Sequence, residues 1–205
     1  CTTYQYDPDN PVPSIGGNIS AFGQWLVPGG YNQVVPADIP RYVKGSRVLG
    51  PLSNRSDVIV FQSPPLEKDL EITGPIKVEI WVSSDCIDTD FTAKLINVFP
   101  SNSDYPNGYA LNVSDGIVRG RYRNERKVQK LITPGKVYKM QIDLAATGMI
   151  FKRGHRIRVN LSSSNYPRLD INPNTGETLG LHTYTKVATN TIYHDRNHKS
   201  PIVLP

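Results

Sequence analysis

The tightest constraint on this chain lies in residues 76–99, where apolar and polar side chains alternate with a period of two. Val78, Ile80 and Val82 alternate with Lys77, Glu79 and Trp81. That pattern puts one set on the buried face of a strand and does not fit the 3.6-residue period of a helix. The polar run Ser83-Ser84-Asp85-Cys86-Ile87-Asp88-Thr89-Asp90 follows as a corner, and residues 91–99 form a second expected strand. The spacing predicts a long β-arch or hairpin at the centre of an all-β domain.

The rest of the chain repeats this theme. Strands are expected at residues 58–61, 70–73, 109–113, 117–122, 137–144, 156–163, 188–194 and 202–204, with a short edge strand at Tyr4-Gln5-Tyr6. Residues 109–113 and 117–122 are expected as two strands joined through Ser114-Asp115-Gly116. Seventeen prolines and 16 glycines mark the turns between them. About ten short strands without an amphipathic helix predict a β-sandwich or jelly roll. No repeat or inner linker divides residues 1–205, so one domain is expected, with residues 1–57 a loop-rich opening segment. Residues 18–51 carry Trp25, Tyr31 and Tyr42 without periodicity. A long irregular stretch of this kind is either functional or a cover over an opening; wrapping of the sandwich is the plainer alternative.

Composition excludes several partners. A formal charge of +5 is mildly basic. Its densest cluster is Arg119-Gly120-Arg121-Tyr122-Arg123, where a two-residue spacing predicts three arginines on one strand face. Without interleaved stacking aromatics this is a solvated or ion-paired face, and no nucleic-acid partner is expected. No apolar run approaches the roughly 20 residues of a membrane-spanning helix, and no membrane partner is expected. Cys1 and Cys86 supply neither a disulfide framework nor a metal spacing, and free thiols are expected. The opening at Cys1, without an initiator Met, suggests a piece of a longer protein.

Gly-x-Ser-x-Gly, the nucleophile elbow of α/β-hydrolases, is absent. His155 follows Gly154 in a turn and is expected to pack or cap there, while His194 and His198 sit on a polar segment. No catalytic residue is therefore assigned. Asp85, Asp88 and Asp90 lack the glycine and terminal glutamate of an EF-hand loop. They are expected to accept backbone hydrogen bonds or pair with Arg119 and Arg121 as a structural polar corner, with no metal and no cofactor. Trp25, Trp81 and the tyrosines keep a carbohydrate-binding jelly roll as the alternative function.

Several segments carry a resemblance: Tyr6-Asp7-Pro8, Gly16-Gly17, Ser63-Pro64-Pro65-Leu66, Asp88-Thr89-Asp90-Phe91-Thr92-Ala93-Lys94-Leu95, Arg121-Tyr122-Arg123, Gly154-His155-Arg156-Ile157, Ser162-Ser163-Ser164-Asn165-Tyr166-Pro167 and Asn174-Thr175-Gly176. In this order they resemble the C-terminal, non-catalytic domain of the X-Pro dipeptidyl-peptidase and cocaine esterase (CocE/NonD) family of serine hydrolases. The resemblance implies a galactose-binding-like jelly roll. It also implies an N-terminal α/β-hydrolase domain of the same protein as partner, with a homo-oligomer left open. The implied role is accessory: to stabilise a peptidase, esterase or acylase and help shape its substrate pocket. In esterase-like members the loop after Gly-Gly reaches the active site, which implies Ile19 and Phe22 as pocket-wall residues. Residues 23–50 form a longer segment than the esterase has, and they are expected to dock on the catalytic domain.

Overall fold

The computed structural model describes residues 1–18, 28–35 and 50–205. Their strands are β1 (Thr2–Tyr6), β2 (Val34–Val35), β3 (Gly50–Pro51), β4 (Ile59–Gln62), β5 (Leu70–Ser84), β6 (Asp90–Phe99), β7 (Tyr109–Arg119), β8 (Tyr138–Phe151), β9 (Arg156–Ser162), β10 (Ala188–Tyr193) and β11 (Ile202–Val203). The all-β expectation is borne out. Two of the strands are longer than the turn signals suggested. Gly74-Pro75 does not end a strand but marks a register shift within β5, between Gly74 and Ile76. Likewise Ser114-Asp115-Gly116 runs through the middle of β7 instead of joining two strands.

Antiparallel pairing builds two main sheets. In the first, β8 lies along one edge of β5, while β10 and β11 share the other edge and β1 flanks β10. The second has the order β4-β9-β6-β7. Because β5 and β6 belong to different sheets, the central stretch is an arch and not a hairpin. Residues 85–89 carry the chain from one sheet to the other.

The period-two pattern sets the core. Ile76, Val78, Ile80 and Val82 of β5 and Met140, Ile142 and Leu144 of β8 face Phe91, Ala93 and Leu95 of β6 and Leu161 of β9. Each fully buried aliphatic side chain contributes about 1.5–3 kcal/mol. The sheets also touch where β7 passes β8. A Cβ on Gly116 would sit 2.2 Å from the Asp143 carbonyl oxygen, so only glycine allows this approach.

β6 is buried on both faces, because the opening segment lies over the outside of the second sheet. Val12, Ile15, Leu52 and Val58 make a second small core there, with Tyr31, Val35 and Val60 packed against it. Two buried salt-bridged bonds of 2.7 Å join Arg55 to Asp57, and Arg55 Nη2 also donates to the Asn10 carbonyl. The turn at Gly16-Gly17 closes on Gly29 through reciprocal backbone hydrogen bonds of 2.8 and 3.0 Å. A Cβ on Gly16, at φ +64°, would meet the Gly29 carbonyl at 2.6 Å. Residues 28–35 and Gly50 thus belong to a cover over their own sandwich, through β2–β3 pairing and a bridge from Asn32 to Leu111. For these residues the expectation of docking elsewhere is overturned. The remainder of 23–50 lies outside the described residues.

Candidate functional site

The turn between β5 and β6 places Asp88 at the base of the arch, where the end of β7 folds over it. The main chain leaves β7 in a 3-10 turn, Gly120–Tyr122. Arg119, Arg121 and Arg123 therefore do not share one strand face, as a two-residue spacing had suggested. The tighter turn rotates Arg121 inward, and Gly120 N–H donates to the Thr89 carbonyl at 2.9 Å.

Asp88 and Arg121 are then sealed together at 0% and 1% side-chain exposure. Arg121 donates its backbone N–H to Asp88 Oδ1 at 3.0 Å and its Nε to Oδ2 at 2.8 Å. Its Nη2 donates to the Glu177 carbonyl at 2.8 Å. Asp90 lies opposite Arg119 in the β6–β7 register, with Nε 3.2 Å from Oδ2. The Asn172 amide nitrogen bridges the two acids, at 2.8 Å from Asp88 Oδ2 and 2.8 Å from Asp90 Oδ1. Asn172 Oδ1 in turn accepts the backbone N–H of Asn174, whose φ of 65° suits asparagine in a tight turn. Tyr6 donates its hydroxyl to the Asn172 carbonyl at 3.1 Å. Asp85 stands apart at the exposed edge, accepting from Thr189 N–H at 2.8 Å. Burial pushes its carboxyl up, but the bonds from Thr189 and the Cys86 thiol outweigh this and hold it below the ordinary value.

Removing two charges from water costs several kcal/mol per ion, so such a pair contributes little net stability even when well bonded. What it does is fix geometry. Asp88 and Asp90, Arg119 and Arg121, and Asn172 and Glu177 bring three separate segments to the same few atoms. Both acids hold donors, Asp88 on both oxygens and Asp90 on Oδ1. Among the described residues no group of three His, Cys, Asp or Glu side chains could hold a metal ion.

A second buried cluster escaped sequence reasoning. Lys94 of β6 is 3% exposed and donates Nζ to Gln33 Oε1 at 3.1 Å. Asp115 pairs with Arg168 and accepts from Asn165 Nδ2 at 3.0 Å. Burial pulls the Lys94 ammonium down to about 8, with Asp115 opposing. Gly17 sits directly above this cluster, so a Cβ there would lie 3.0 Å from Asp115 Oδ2. The available signal was a lone lysine between Ala93 and Leu95-Ile96 in the strand.

Three of the four histidines bond side chains other than serine. His155 Nδ1 lies 2.9 Å from Asn97 Oδ1 with its ring on Phe99, His194 bonds Thr2, and His198 bonds Asp195. Among the described residues no serine hydroxyl is hydrogen-bonded to a histidine ring. Both cysteines are free thiols, and burial, reinforced by Asp85, pushes Cys86 up to about 11. Trp81 is partly buried, with the His198 ring edge-on at 5.1 Å. Ile19, Phe22 and Trp25 lie outside the described residues.

The class of domain these elements define is an all-β sandwich with a buried, ion-paired corner between its sheets. Residues 3–203 match the family described as the X-Pro dipeptidyl-peptidase C-terminal non-catalytic domain, and the chain belongs to that family. It is 40% identical over 205 residues to cocaine esterase of Rhodococcus sp. (strain MB1 Bresler), covering 99% of this chain and 32% of that protein. A putative Xaa-Pro dipeptidyl-peptidase of Bacillus anthracis is 29% identical over 132 residues, 64% of this chain and 21% of that protein. The solved structure of an α-amino acid ester hydrolase superposes with a TM-score of 0.78 at 29% identity, over 100% of this chain and 32% of that one. An aminopeptidase from a marine sediment Thaumarchaeota archaeon gives 0.77 at 27% identity, with the same coverage. The chain spans about a third of the length of the first of these curated relatives.

Two outcomes follow from the corner. Asp88→Ala leaves the Arg121 charge buried without its partner and is expected to cost about 3–5 kcal/mol in urea unfolding. Adding Arg121→Met should restore part of that loss, and a double variant no more stable than Asp88→Ala would contradict a charge-pairing origin. Asp90 supplies the pH dependence. Burial raises its carboxyl to about 7, although Arg119, Asn172 and Arg121 oppose this and Asp88 reinforces it. The folded protein thus holds a proton that the unfolded chain releases near 3.8, and the stability from that proton is complete below 3.8. It is lost as pH rises through about 7. Relative to Asp90→Asn, the native protein should lose stability across this window; parallel pH profiles would overturn the assignment.

Proposed function

We propose that residues 1–205 form one accessory domain of a serine hydrolase of the dipeptidyl-peptidase, esterase or acylase type. It stabilises the enzyme and completes one wall of its substrate pocket. The observation that carries this reading is the match of nearly the whole chain to a non-catalytic family whose members with full-length counterparts are about three times longer. The catalytic serine, its base and its orienting acid then belong to an α/β-hydrolase domain of the same polypeptide. The names of the relatives span ester and X-Pro amide cleavage, both of which proceed through attack by an activated serine on a carbonyl carbon.

Ile19 and Phe22 are the side chains proposed for the pocket wall. The Gly17–Gly29 bridge supports this, because it holds together the described residues on either side of 19–27. Apolar side chains presented from a fixed base narrow a pocket without taking part in bond breaking, so they act on substrate fit. The expected result is that a fluorophosphonate probe labels the full-length protein, which hydrolyses an X-Pro p-nitroanilide or a p-nitrophenyl ester, while this chain alone is unlabelled and inert. Probe on one of the 205 residues, with turnover, would overturn the reading.

A further inference from the structure

The loops tied together by the polar corner carry an unusual surface. Ile87, Leu131 and Val187 are each more than 40% exposed, and Leu181 and Tyr184 on the same loop as Val187 reach 76% and 58%. Most other exposed large apolar groups have ring partners or stand singly. Phe61 meets the His194 ring, Tyr105 packs on Phe99 and Tyr109, and Ile150 and Val203 lie on separate strands. Scattered single exposures are ordinary in folded proteins, whereas a cluster is not.

Ile87 and Leu131 meet beside Gly176, on the loop that also carries Leu181, Tyr184 and Val187. Ile132 N–H donates to the Ile87 carbonyl at 2.8 Å, next to the Asp88–Arg121 pair. Gly176, at φ +74°, brings the third loop so close that a Cβ would lie 2.7 Å from Ile87 Cδ1 and 3.4 Å from Leu131 Cδ1. That loop is closed by Lys186 N–H on the Pro173 carbonyl at 3.0 Å and by Asn174 Nδ2 on the Lys186 carbonyl. A pre-formed apolar surface loses little conformational entropy on binding.

Resting on the accessory-domain reading, we propose that this surface is the seat of the catalytic domain of the same polypeptide. The solved relatives contain this whole chain as 32% of theirs, so in those proteins roughly twice its length of chain accompanies this domain. Contacts between domains of one chain cover about 600–1,500 Å². The rim selects the occupant. Lys130 precedes Leu131 and is exposed, and Arg126 and Lys127 are exposed on the same loop with Glu125. A second copy on a two-fold axis would bring two basic rims together, which is unfavourable. The complementary partner is an apolar patch bordered by acidic side chains.

The test uses the full-length protein with Cys1→Ser, carrying Leu181→Cys, Tyr184→Cys or, as a control, Val203→Cys. Val203 pairs with Lys77 in the middle of β5, about 20 Å along the strand from the corner. Maleimide labelling is followed by mass spectrometry and compared with the urea-unfolded rate. The seat predicts that Leu181→Cys and Tyr184→Cys react at least about tenfold more slowly than Val203→Cys, at every protein concentration. Equal rates at the three positions in a protein that still takes the fluorophosphonate probe would overturn the seat and leave the accessory role standing. Protection that vanishes on dilution would assign the surface to a second copy and also overturn it. A full-length protein with no probe-reactive serine removes the accessory role and the seat together.

Discussion

The buried pair of Asp88 and Arg121 is the interaction on which the rest of this structure depends. It sits where the chain crosses from one sheet to the other, and it draws in the end of β7 and the loop before β10. Neither sheet supplies these contacts. Backbone ladders fix strands relative to their neighbours, but an arch between sheets has no ladder of its own. Asp88 replaces it by accepting a backbone N–H, a guanidinium N–H and the Asn172 amide. Polar groups this deeply buried are costly if half-bonded, so the corner has few alternative arrangements of low energy.

The same logic recurs on the outside of the second sheet. There the opening segment places Gln33 on Lys94 and seats Gly17 over Asp115. A sheet buried on both faces ordinarily carries apolar runs; this one tolerates a buried lysine because a carboxylate lies near it and an amide oxygen accepts from it. Two polar clusters thus organise the two features proposed to meet the catalytic domain. One presents an apolar surface at the base of the arch. The other underlies the turn at Gly16-Gly17, which precedes Ile19 and Phe22 in the sequence.

Much of the sandwich was legible in the sequence because a two-residue period needs only local information. Val78, Ile80 and Val82 on the buried face of β5 are the plainest case. What local pattern could not convey was which sheet each strand joins, since an arch and a hairpin look alike until long-range pairing is known. The turn signals at Gly74 and Gly116 misled for a related reason. One marks a register shift and the other a close approach between strands, both inside continuous strands. At the corner, Asp88, Asp90, Arg119 and Arg121 were singled out from their charges and order. The inward turn of Arg121 after Gly120 and the bridging role of Asn172 were not, because both depend on a backbone that leaves the strand period.

Native-state hydrogen exchange of the corner amides tests most directly whether this pair governs the fold. Gly120 and Arg121 donate to Thr89 and Asp88, and Ile132 donates to Ile87, all outside the main ladders. Corner amides that open only with global unfolding, at the same free energy and denaturant slope as the amide of Ile80 in β5, are the predicted result. Exchange of these amides at much lower free energy, with little dependence on denaturant, would show the corner opening on its own and would contradict the account.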